Sequence, residues 1–176
     1  MRPVHHLLFL LALLPLATSS AALHPATDGA IRSVCGRTLN PSLCVTTVRR
    51  SAGKPNPATV DARAVLYMQI RATVRRTKAA KIRATRLIRS SRPAIATGLK
   101  LCSNLYVNMV DNLGAATRAG KFGDKALIGL MLSSALQNLV SCDYEFTKIG
   151  LKSPMARFNA SLTKMTNNCV AINKMT

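Results

Sequence analysis

"CGRTLNPSLC", residues 35–44, places two cysteines eight residues apart in a chain whose other segments have helical patterns. On one straight helix, a rise of about 1.5 Å per residue would hold the two Cα atoms roughly 13 Å apart, about twice the span of a disulfide. Asn40 and Pro41 lie between them, and proline disfavours helix at the residue before it but suits the first turn of a new helix. The stretch therefore predicts two helices joined by a turn, with a disulfide if the compartment is oxidising.

The N-terminus predicts such a compartment. Arg2 precedes an apolar run at 7–17 and small residues at 18–22, the three regions of a secretory signal peptide. The apolar run contains a proline and is too short to cross a bilayer, which takes about twenty residues. We therefore expect residues 1–22 to be removed and residues 23–176 to form one secreted domain whose cysteines pair where geometry allows.

Helical patterns account for the rest of that domain. Short helices are predicted at 28–36 and 41–51, and long ones at 59–91, 98–119, 124–148 and 155–175, separated by Pro93, by Gly120 and Gly123, and by a loop at 150–154. In the second long helix, apolar residues recur every three or four positions, the spacing of one helical face: Leu101, Leu105, Met109, Leu113 and Ala116. We predict an all-α fold, an up-and-down four-helix bundle (58–176) preceded by an N-terminal helical hairpin (26–52).

The cysteine spacing supports the bundle independently. Cys102 and Cys142 are equidistant from residue 122, in the turn "GKFG", so antiparallel helices hinged there would bring them side by side. Five cysteines with one left over allow fifteen pairings. The two hairpins favour Cys35 with Cys44 and Cys102 with Cys142. Cys169 is then a free thiol, either buried and inert or bridging to another molecule.

Basic residues far outnumber acidic ones. The sequence has 25 Lys and Arg against 6 Asp and Glu, a formal charge of +19, which falls to +18 when the signal peptide takes Arg2 away. A secreted basic protein meets acidic polysaccharides, anionic membranes and acidic proteins, and charge alone does not choose among them. Residues 63–92 hold ten of the basic residues and no acid.

On a helical wheel, the basic residues of that segment do not form one clean face. Four of them fall near the apolar stripe Val65, Met68, Ala72 and Ala79; these are Arg75, Arg76, Arg83 and Arg86. The mixture favours an outer bundle helix whose Arg and Lys stems cover apolar surface while their heads reach water. A bend near Arg75, or a dedicated polyanion or membrane site, is the alternative.

Residues for catalysis are scarce. His24 is the only histidine after the signal, and Asp143 and Glu145, the only neighbouring carboxylates, point to different faces of a helix. The sequence has no CxxC spacing and no phosphate-binding glycine pattern. We expect no enzyme activity, metal or cofactor, and a protein that acts by binding. The sequence "NAS" predicts N-glycosylation at Asn159 in the secretory route.

These motifs resemble those of the plant pectin methylesterase inhibitor and invertase inhibitor family. "CGRTLNPSLC" reproduces the family hairpin Cys-x-x-Thr-x-Tyr-Pro-x-x-Cys, with Asn40 in place of tyrosine. "LKLCSNLYVNMVDNL" at 99–113 resembles the helix that follows, through Cys102, Tyr106, Val110, Asp111 and Leu113. "LSSALQNLVSCDYEF" at 132–146 is similar to Ser-Ala-Ala-Leu…Cys-x-x-x-Phe, through Ser133, Ala135, Leu136, Cys142 and Phe146. "MTNNCVAI" at 165–172 resembles the closing Thr-x-Asn-x-Leu-Ala-Ile.

The resemblance implies a secreted inhibitor in the apoplast that forms a one-to-one complex with a cell-wall enzyme and covers its active-site cleft. In members that inhibit pectin methylesterase, the bundle helices supply the surface, which makes the segment around Ser133 a candidate interface. Invertase inhibitors carry Pro-Lys-Phe in the turn between the disulfide-linked helices, and here Lys121 and Phe122 follow a glycine.

"SSAL" is nearer to the pectin methylesterase branch, so that enzyme is the favoured partner and acid invertase the alternative. A third hypothesis is a basic protein that binds acidic cell-wall polysaccharide without inhibiting an enzyme. We expect no nucleic-acid partner, and no membrane partner once the signal is removed.

Overall fold

The computed structural model describes residues 23–53 and 57–176, so the predicted signal peptide at 1–22 lies outside the described residues. Within the described ranges there is no β-strand, and the all-α prediction is confirmed. A 3-10 turn at Pro57–Thr59 connects the hairpin to the bundle. The described residues form six α-helices, α1 (Pro25–Cys35), α2 (Pro41–Ala52), α3 (Ala62–Ile88), α4 (Pro93–Lys121), α5 (Lys125–Thr147) and α6 (Ala156–Asn173).

The four long helices form the predicted bundle. α4 contacts α3 and α5, and α6 contacts the same two helices from the other side, so that α3 and α5 lie diagonally across from each other. The hairpin of α1 and α2 packs chiefly on α3, and α2 also contacts α6. One side of the bundle is therefore covered by the hairpin, while α5 is left on the opposite side.

Proline and aspartate set the helix starts. Proline occupies the first turn of α1, α2 and α4, and the carboxylates of Asp61 and Asp124 each accept a 2.8 Å hydrogen bond from the first turn of α3 and α5. α4 begins at Pro93 and not at the predicted Gly98, because the proline that ends one helical segment also suits the first turn of the next. Capping of α5 by Asp124 is as predicted.

The turn between α4 and α5 requires its glycines for two different reasons. Gly123 has φ +72°, a left-handed conformation that side chains disfavour. Gly120 lies in the last turn of α4, where an added Cβ would collide with the Tyr67 hydroxyl and lie 3.0 Å from its ring. The first glycine closes the hairpin of long helices, and the second lets α3 approach α4.

The buried face of α4 differs from the predicted one at its start. Leu101 is predicted to begin the buried stripe, but it is 37% exposed. The buried stripe includes Leu99 and Cys102 instead. Cys102 must face α5 to form its disulfide, which turns its neighbour Leu101 towards solvent. The remaining buried positions of the stripe are Tyr106, Met109, Leu113 and Ala116.

Buried threonines explain why apolar and basic residues of α3 fall close together on the helical wheel. Ala79 is exposed, contrary to the prediction, and the buried stripe continues from Ala72 through Thr73 and Thr77 to Ala80 and Ala84. Each of these two threonine hydroxyls donates a 2.9 Å hydrogen bond to the carbonyl four residues earlier, which makes it compatible with the core. The buried stripe therefore passes between the arginines, and all four that the wheel placed near it are exposed.

Both predicted disulfides are present. The Cα atoms of Cys35 and Cys44 are 5.5 Å apart and those of Cys102 and Cys142 are 4.8 Å apart. By loop-closure entropy, the short loop contributes about 3 kcal/mol and the long loop about 4 kcal/mol to stability. The first disulfide fixes the hairpin, and the second fixes α4 to α5.

Cys169 is a free, fully buried thiol on α6. Burial raises its pKa to about 12, although the Thr73 hydroxyl 3.9 Å away opposes the rise. The thiol therefore stays protonated at physiological pH, and in the folded protein it does not reach another molecule. Of the two alternatives that the sequence left open, the structure favours the buried, inert one.

We predict that an alkylating reagent labels no cysteine in the native, unreduced protein and a single cysteine, Cys169, after unfolding without reductant. Burial protects the thiol in the first state, and the two disulfides protect the other four cysteines in both states. Mass spectrometry after alkylation measures the number and position of labels. Labelling of the native protein, or of more than one cysteine after unfolding, would contradict the arrangement.

An acidic side chain ties the two helices of the hairpin together. Asp28 of α1 accepts a 2.9 Å hydrogen bond from Arg32 and two of 2.6 Å from Arg49 of α2. The hydrogen bonds from Arg32 and Arg49 lower the pKa of Asp28 below its ordinary value of 3.8. Their contribution to stability is therefore complete above that pH and is lost as the pH falls through the lower folded-state pKa.

We predict that Asp28→Asn lowers the free energy of unfolding near neutral pH and that the difference from the parent protein shrinks well below pH 3.8, where Asp28 becomes protonated. Denaturant unfolding at several pH values measures the difference. Asp111→Asn, at an exposed position of α4, is the control for loss of one carboxylate. A penalty that stays constant down to the lowest pH would show that the charge of Asp28 is not what stabilises the hairpin.

Candidate functional site

The outer face of α5 carries three large exposed apolar side chains, and no other helix among the described residues covers them. Leu130, Val140 and Tyr144 are each 58–59% exposed, and exposed Ser133 and Gln137 lie between them at the same helical spacing. We call these five residues the α5 ridge. Residues 126–142 contain no charged side chain. Large apolar side chains exposed on one face of a bundle helix are typical of a protein interaction site.

By length and composition alone α5 could cross a membrane, a property that it shares with core helices of water-soluble proteins. Its inner face packs in the bundle through Ile128, Leu132, Leu139 and Phe146, and Cys142 bonds it to α4. The ridge is therefore the outer half of a bundle helix.

A polar groove runs beside the ridge. It measures about 420 Å³ between α4 and α5 and is lined by side chains that are nearly all neutral hydrogen-bonding groups: Asn108, Asp111, Asn112, Ser134, Gln137 and Asn138. Amide groups both donate and accept hydrogen bonds, so such a groove can pair with backbone or side-chain groups of a partner. Apolar side chains beside polar groups are the usual anatomy of a protein interface.

The turn residues of the sequence hypothesis lie at the end of the ridge. Lys121 is exposed, and the Phe122 ring is 87% exposed, so it does not pack on the end of the bundle. Partly exposed Leu127 lies between this turn and Leu130. Ser133 lies eight residues after Lys125, the first residue of α5. At roughly 1.5 Å per residue, it is about 12 Å along the helix axis from that end. The two predicted interface segments are thus the tip and the middle of one helical hairpin.

Residues that sequence reasoning missed are Leu130, Val140 and Tyr144 of the ridge. The sequence does contain a pattern that indicates them, because residues 126–142 include more apolar residues than one buried helical face needs. The two candidate carboxylates are indeed apart, since Asp143 contacts Asn159 on α6 and Glu145 pairs with Lys148 at 2.9 Å. Across residues 23–53 and 57–176, no group of three or more His, Cys, Asp and Glu is close enough to hold a metal.

Asn159, the predicted glycosylation site, is a buried residue with hydrogen-bond partners on two other helices. The residue is 1% exposed. Its Oδ1 accepts a 2.6 Å hydrogen bond from the Tyr106 hydroxyl, and its Nδ2 donates a 2.7 Å hydrogen bond to Asp143. These hydrogen bonds connect α6 to α4 and α5, and glycosylation of Asn159 stays a prediction. Burial, with the nearby charge of Asp143, raises the pKa of Tyr106, so the phenol stays a hydrogen-bond donor.

The sequence matches the family described as plant invertase/pectin methylesterase inhibitor over residues 29–172, most of the chain. The chain belongs to this family. Its members are inhibitors and not enzymes, and this chain is accordingly an inhibitor of that type. Comparison with curated proteins gives no match.

Solved structures of the family share the fold. A mutant form of a pectin methylesterase inhibitor from Arabidopsis superposes with a TM-score of 0.67 at 18% identity, covering 82% of this chain and 95% of that one. A pectin methylesterase inhibitor from Arabidopsis thaliana gives 0.59 at 19% identity, covering 84% and 95%. At these identities the likeness concerns the fold alone.

Hydrogen bonds from two of the family motifs, at residues 35–44 and 165–172, hold the N-terminal hairpin in place. The Thr38 hydroxyl donates a 2.8 Å hydrogen bond to the Cys35 carbonyl at the end of α1. At the position where the family usually has tyrosine, the backbone N–H and C=O of Asn40 each form a 3.1 Å hydrogen bond with the side-chain amide of Asn168 on α6. Because these hydrogen bonds use the backbone of residue 40, they tolerate asparagine in place of tyrosine at this position.

We predict that Tyr106→Phe lowers the free energy of unfolding by about 1–3 kcal/mol, because it leaves the buried Asn159 Oδ1 without its donor. Tyr144→Phe, which removes a hydroxyl from an exposed ring, should change it by about 0.5 kcal/mol or less. Denaturant unfolding compares the two variants. Equal effects would show that the buried hydrogen bond contributes nothing specific.

Proposed function

We propose that this chain inhibits a pectin methylesterase in the plant cell wall by forming a one-to-one complex in which the α5 ridge covers the enzyme's active-site cleft. The observation that carries the proposal is the exposed, uncharged ridge on a helix fixed to its neighbour by a disulfide. Family membership supports the class of target, and the solved relatives are described as pectin methylesterase inhibitors.

The shape of the ridge suits the cleft of an enzyme that acts on a polymer. α5 has 23 residues, a length of about 34 Å at roughly 1.5 Å per residue. A cleft that binds an extended chain is long and concave, and a single exposed helix is long and convex. Tyr144, Val140 and Leu130 would supply apolar anchors, and the amides of the groove would pair with polar groups at the edge.

Rigidity favours such a complex. The Cys102–Cys142 bond and the buried contacts of α4, α5 and α6 fix the ridge before binding. Little conformational entropy is then lost on association, so more of the contact energy contributes to affinity.

Acid invertase is the second candidate target, favoured by one observation. Phe122 is 87% exposed beside exposed Lys121 at the tip of the α4 and α5 hairpin. A large aromatic ring that is mostly exposed is a common anchor at interfaces. An invertase complex would be centred on this tip, whereas the pectin methylesterase complex is centred on the ridge.

We predict that Leu130→Glu or Val140→Glu weakens inhibition of a plant pectin methylesterase by roughly 30-fold or more, because a charge buried unpaired in an apolar interface costs about 2 kcal/mol or more. Ile82→Glu, at a residue of α3 that is 52% exposed, introduces the same charge outside the ridge and should leave inhibition unchanged. Titration of methanol release at mildly acidic pH gives both the affinity and the stoichiometry, with circular dichroism as a check of folding.

Three outcomes decide between the targets. Ridge variants that fail against the esterase while Phe122→Ala retains inhibition support the proposal. If invertase alone is inhibited and Phe122→Ala abolishes that inhibition, the second candidate replaces the first. Loss of inhibition by Ile82→Glu equal to that of the ridge variants would show that the interface lies elsewhere.

A further inference from the structure

Two adjoining grooves lie on the side of the bundle that the hairpin covers. One, of about 580 Å³, separates the start of α2 from α6, and the other, of about 440 Å³, lies between α2, α3 and α6. Both are lined by Leu43 and Ser161, so they form one continuous depression. We call it the α2/α6 groove.

Five basic side chains line this groove, and no carboxylate does. All five are exposed: Arg50, Arg75, Arg76, Arg157 and Lys164. Among residues 23–53 and 57–176, the ion pairs are those of Asp28 with Arg32 and Arg49 and of Glu145 with Lys148, and none of them involves the groove. Within the part of the chain that the structure describes, no ion pair neutralises the positive charge there.

Two of the arginines are held in place by neutral partners. Arg75 donates a hydrogen bond to the Ser51 hydroxyl of α2, and the Arg76 guanidinium stacks 4.3 Å from the centre of the Phe158 ring of α6. A guanidinium oriented by a hydroxyl or a ring keeps its full charge and its remaining donors for a ligand. These side chains are thus positioned, unlike freely moving surface cations.

The groups between the cations indicate the class of anion. Ser42, Thr47 and Ser161 line the groove together with small Ala72 and Ala79. The Thr47 hydroxyl donates a 2.7 Å hydrogen bond to the Leu43 carbonyl within α2, so the two serines supply the hydroxyl donors for a ligand. Hydroxyls and forked donors suit a sugar ring that carries a carboxylate. A single-stranded nucleic acid would need exposed aromatic rings for base stacking, and the Phe158 ring beside the groove is already covered by Arg76.

We propose that the α2/α6 groove binds a linear polyuronate, with carboxylates paired to Arg75, Arg157 and Lys164 and sugar hydroxyls to Ser42 and Ser161. Arg157 and Lys164 are seven residues apart on α6, about 10 Å at roughly 1.5 Å per residue, so they contact different sugars of one chain. That the polyuronate comes from the plant cell wall rests on the proposed function. The groove and its positive charge do not depend on that function.

The position of the groove allows both partners to bind together. α3, which forms one wall, lies diagonally across the bundle from α5. Hydrolysis of a methyl-esterified polyuronate converts neutral esters to carboxylates, so an esterase that has acted leaves the anion that this groove recognises. The inhibitor is then retained where de-esterification has proceeded, with the α5 ridge free to meet the enzyme.

The test measures binding of an unesterified oligogalacturonate and of its fully methyl-esterified counterpart by calorimetry. The double variant Arg157→Gln and Lys164→Gln removes two groove charges. Its matched control, Lys100→Gln and Arg118→Gln, removes the same two residue types from exposed positions of α4. We expect the groove variant to lose about 10-fold or more in affinity, the control about 2-fold or less, and the ester to show no measurable binding.

Other outcomes overturn the proposal. Equal losses in the two double variants would mean diffuse charge attraction, and equal affinity for the esterified oligomer would mean that carboxylates are not recognised. Competition as strong by single-stranded DNA or by anionic phospholipid vesicles would point to another class of ligand. Absence of binding by the folded parent protein would remove the site.

Esterase inhibition by the same variants separates this proposal from the previous one. The groove variant should inhibit as the parent protein does, whereas Leu130→Glu should lose inhibition and keep its affinity for the oligogalacturonate. If the parent protein binds the oligomer but inhibits no esterase, the groove stands and the proposed target is wrong.

Discussion

The Cys102–Cys142 bond is the constraint on which the rest of the structure depends. It joins α4 to α5 with Cα atoms 4.8 Å apart, and the buried bonds of Tyr106 and Asn159 reach the same point from α4 and α6. Because three helices meet there, the rotation of each about its axis is fixed. That rotation decides which residues of α5 are buried and which form the ridge.

The bundle separates charge from apolar surface. Residues 126–142 of α5 are uncharged, whereas α3 and the grooves beside it carry arginine and lysine without carboxylates. Since α3 and α5 are diagonal neighbours, the two surfaces do not compete for one partner. A strongly basic protein can thus keep an apolar docking face free of the repulsion and desolvation that charges there would cause.

The N-terminal hairpin depends on backbone recognition. Its disulfide closes a short loop, and the Asn168 amide binds the backbone of residue 40 from α6. These hydrogen bonds specify the path of the chain and leave the side chain at position 40 free to vary. The hairpin in turn forms one wall of the basic groove, so its placement on α3 and α6 creates that site.

The sequence by itself determined the helical class, the hairpin, the two disulfides and the cap of α5 at Asp124, because turns, caps and cysteine spacing act over short distances along the chain. It also indicated Ser133, Lys121 and Phe122 by resemblance, and the structure places them on one exposed hairpin. Only the tertiary structure decided the burial of Thr73 and Thr77, the burial of Asn159 and the exposure of Leu101. Each depends on which face of its helix meets a neighbour, and a polar side chain enters the core when a partner satisfies its hydrogen bond. The α5 ridge and the α2/α6 groove belong to the same class, since both are made by the packing of helices that are distant in sequence.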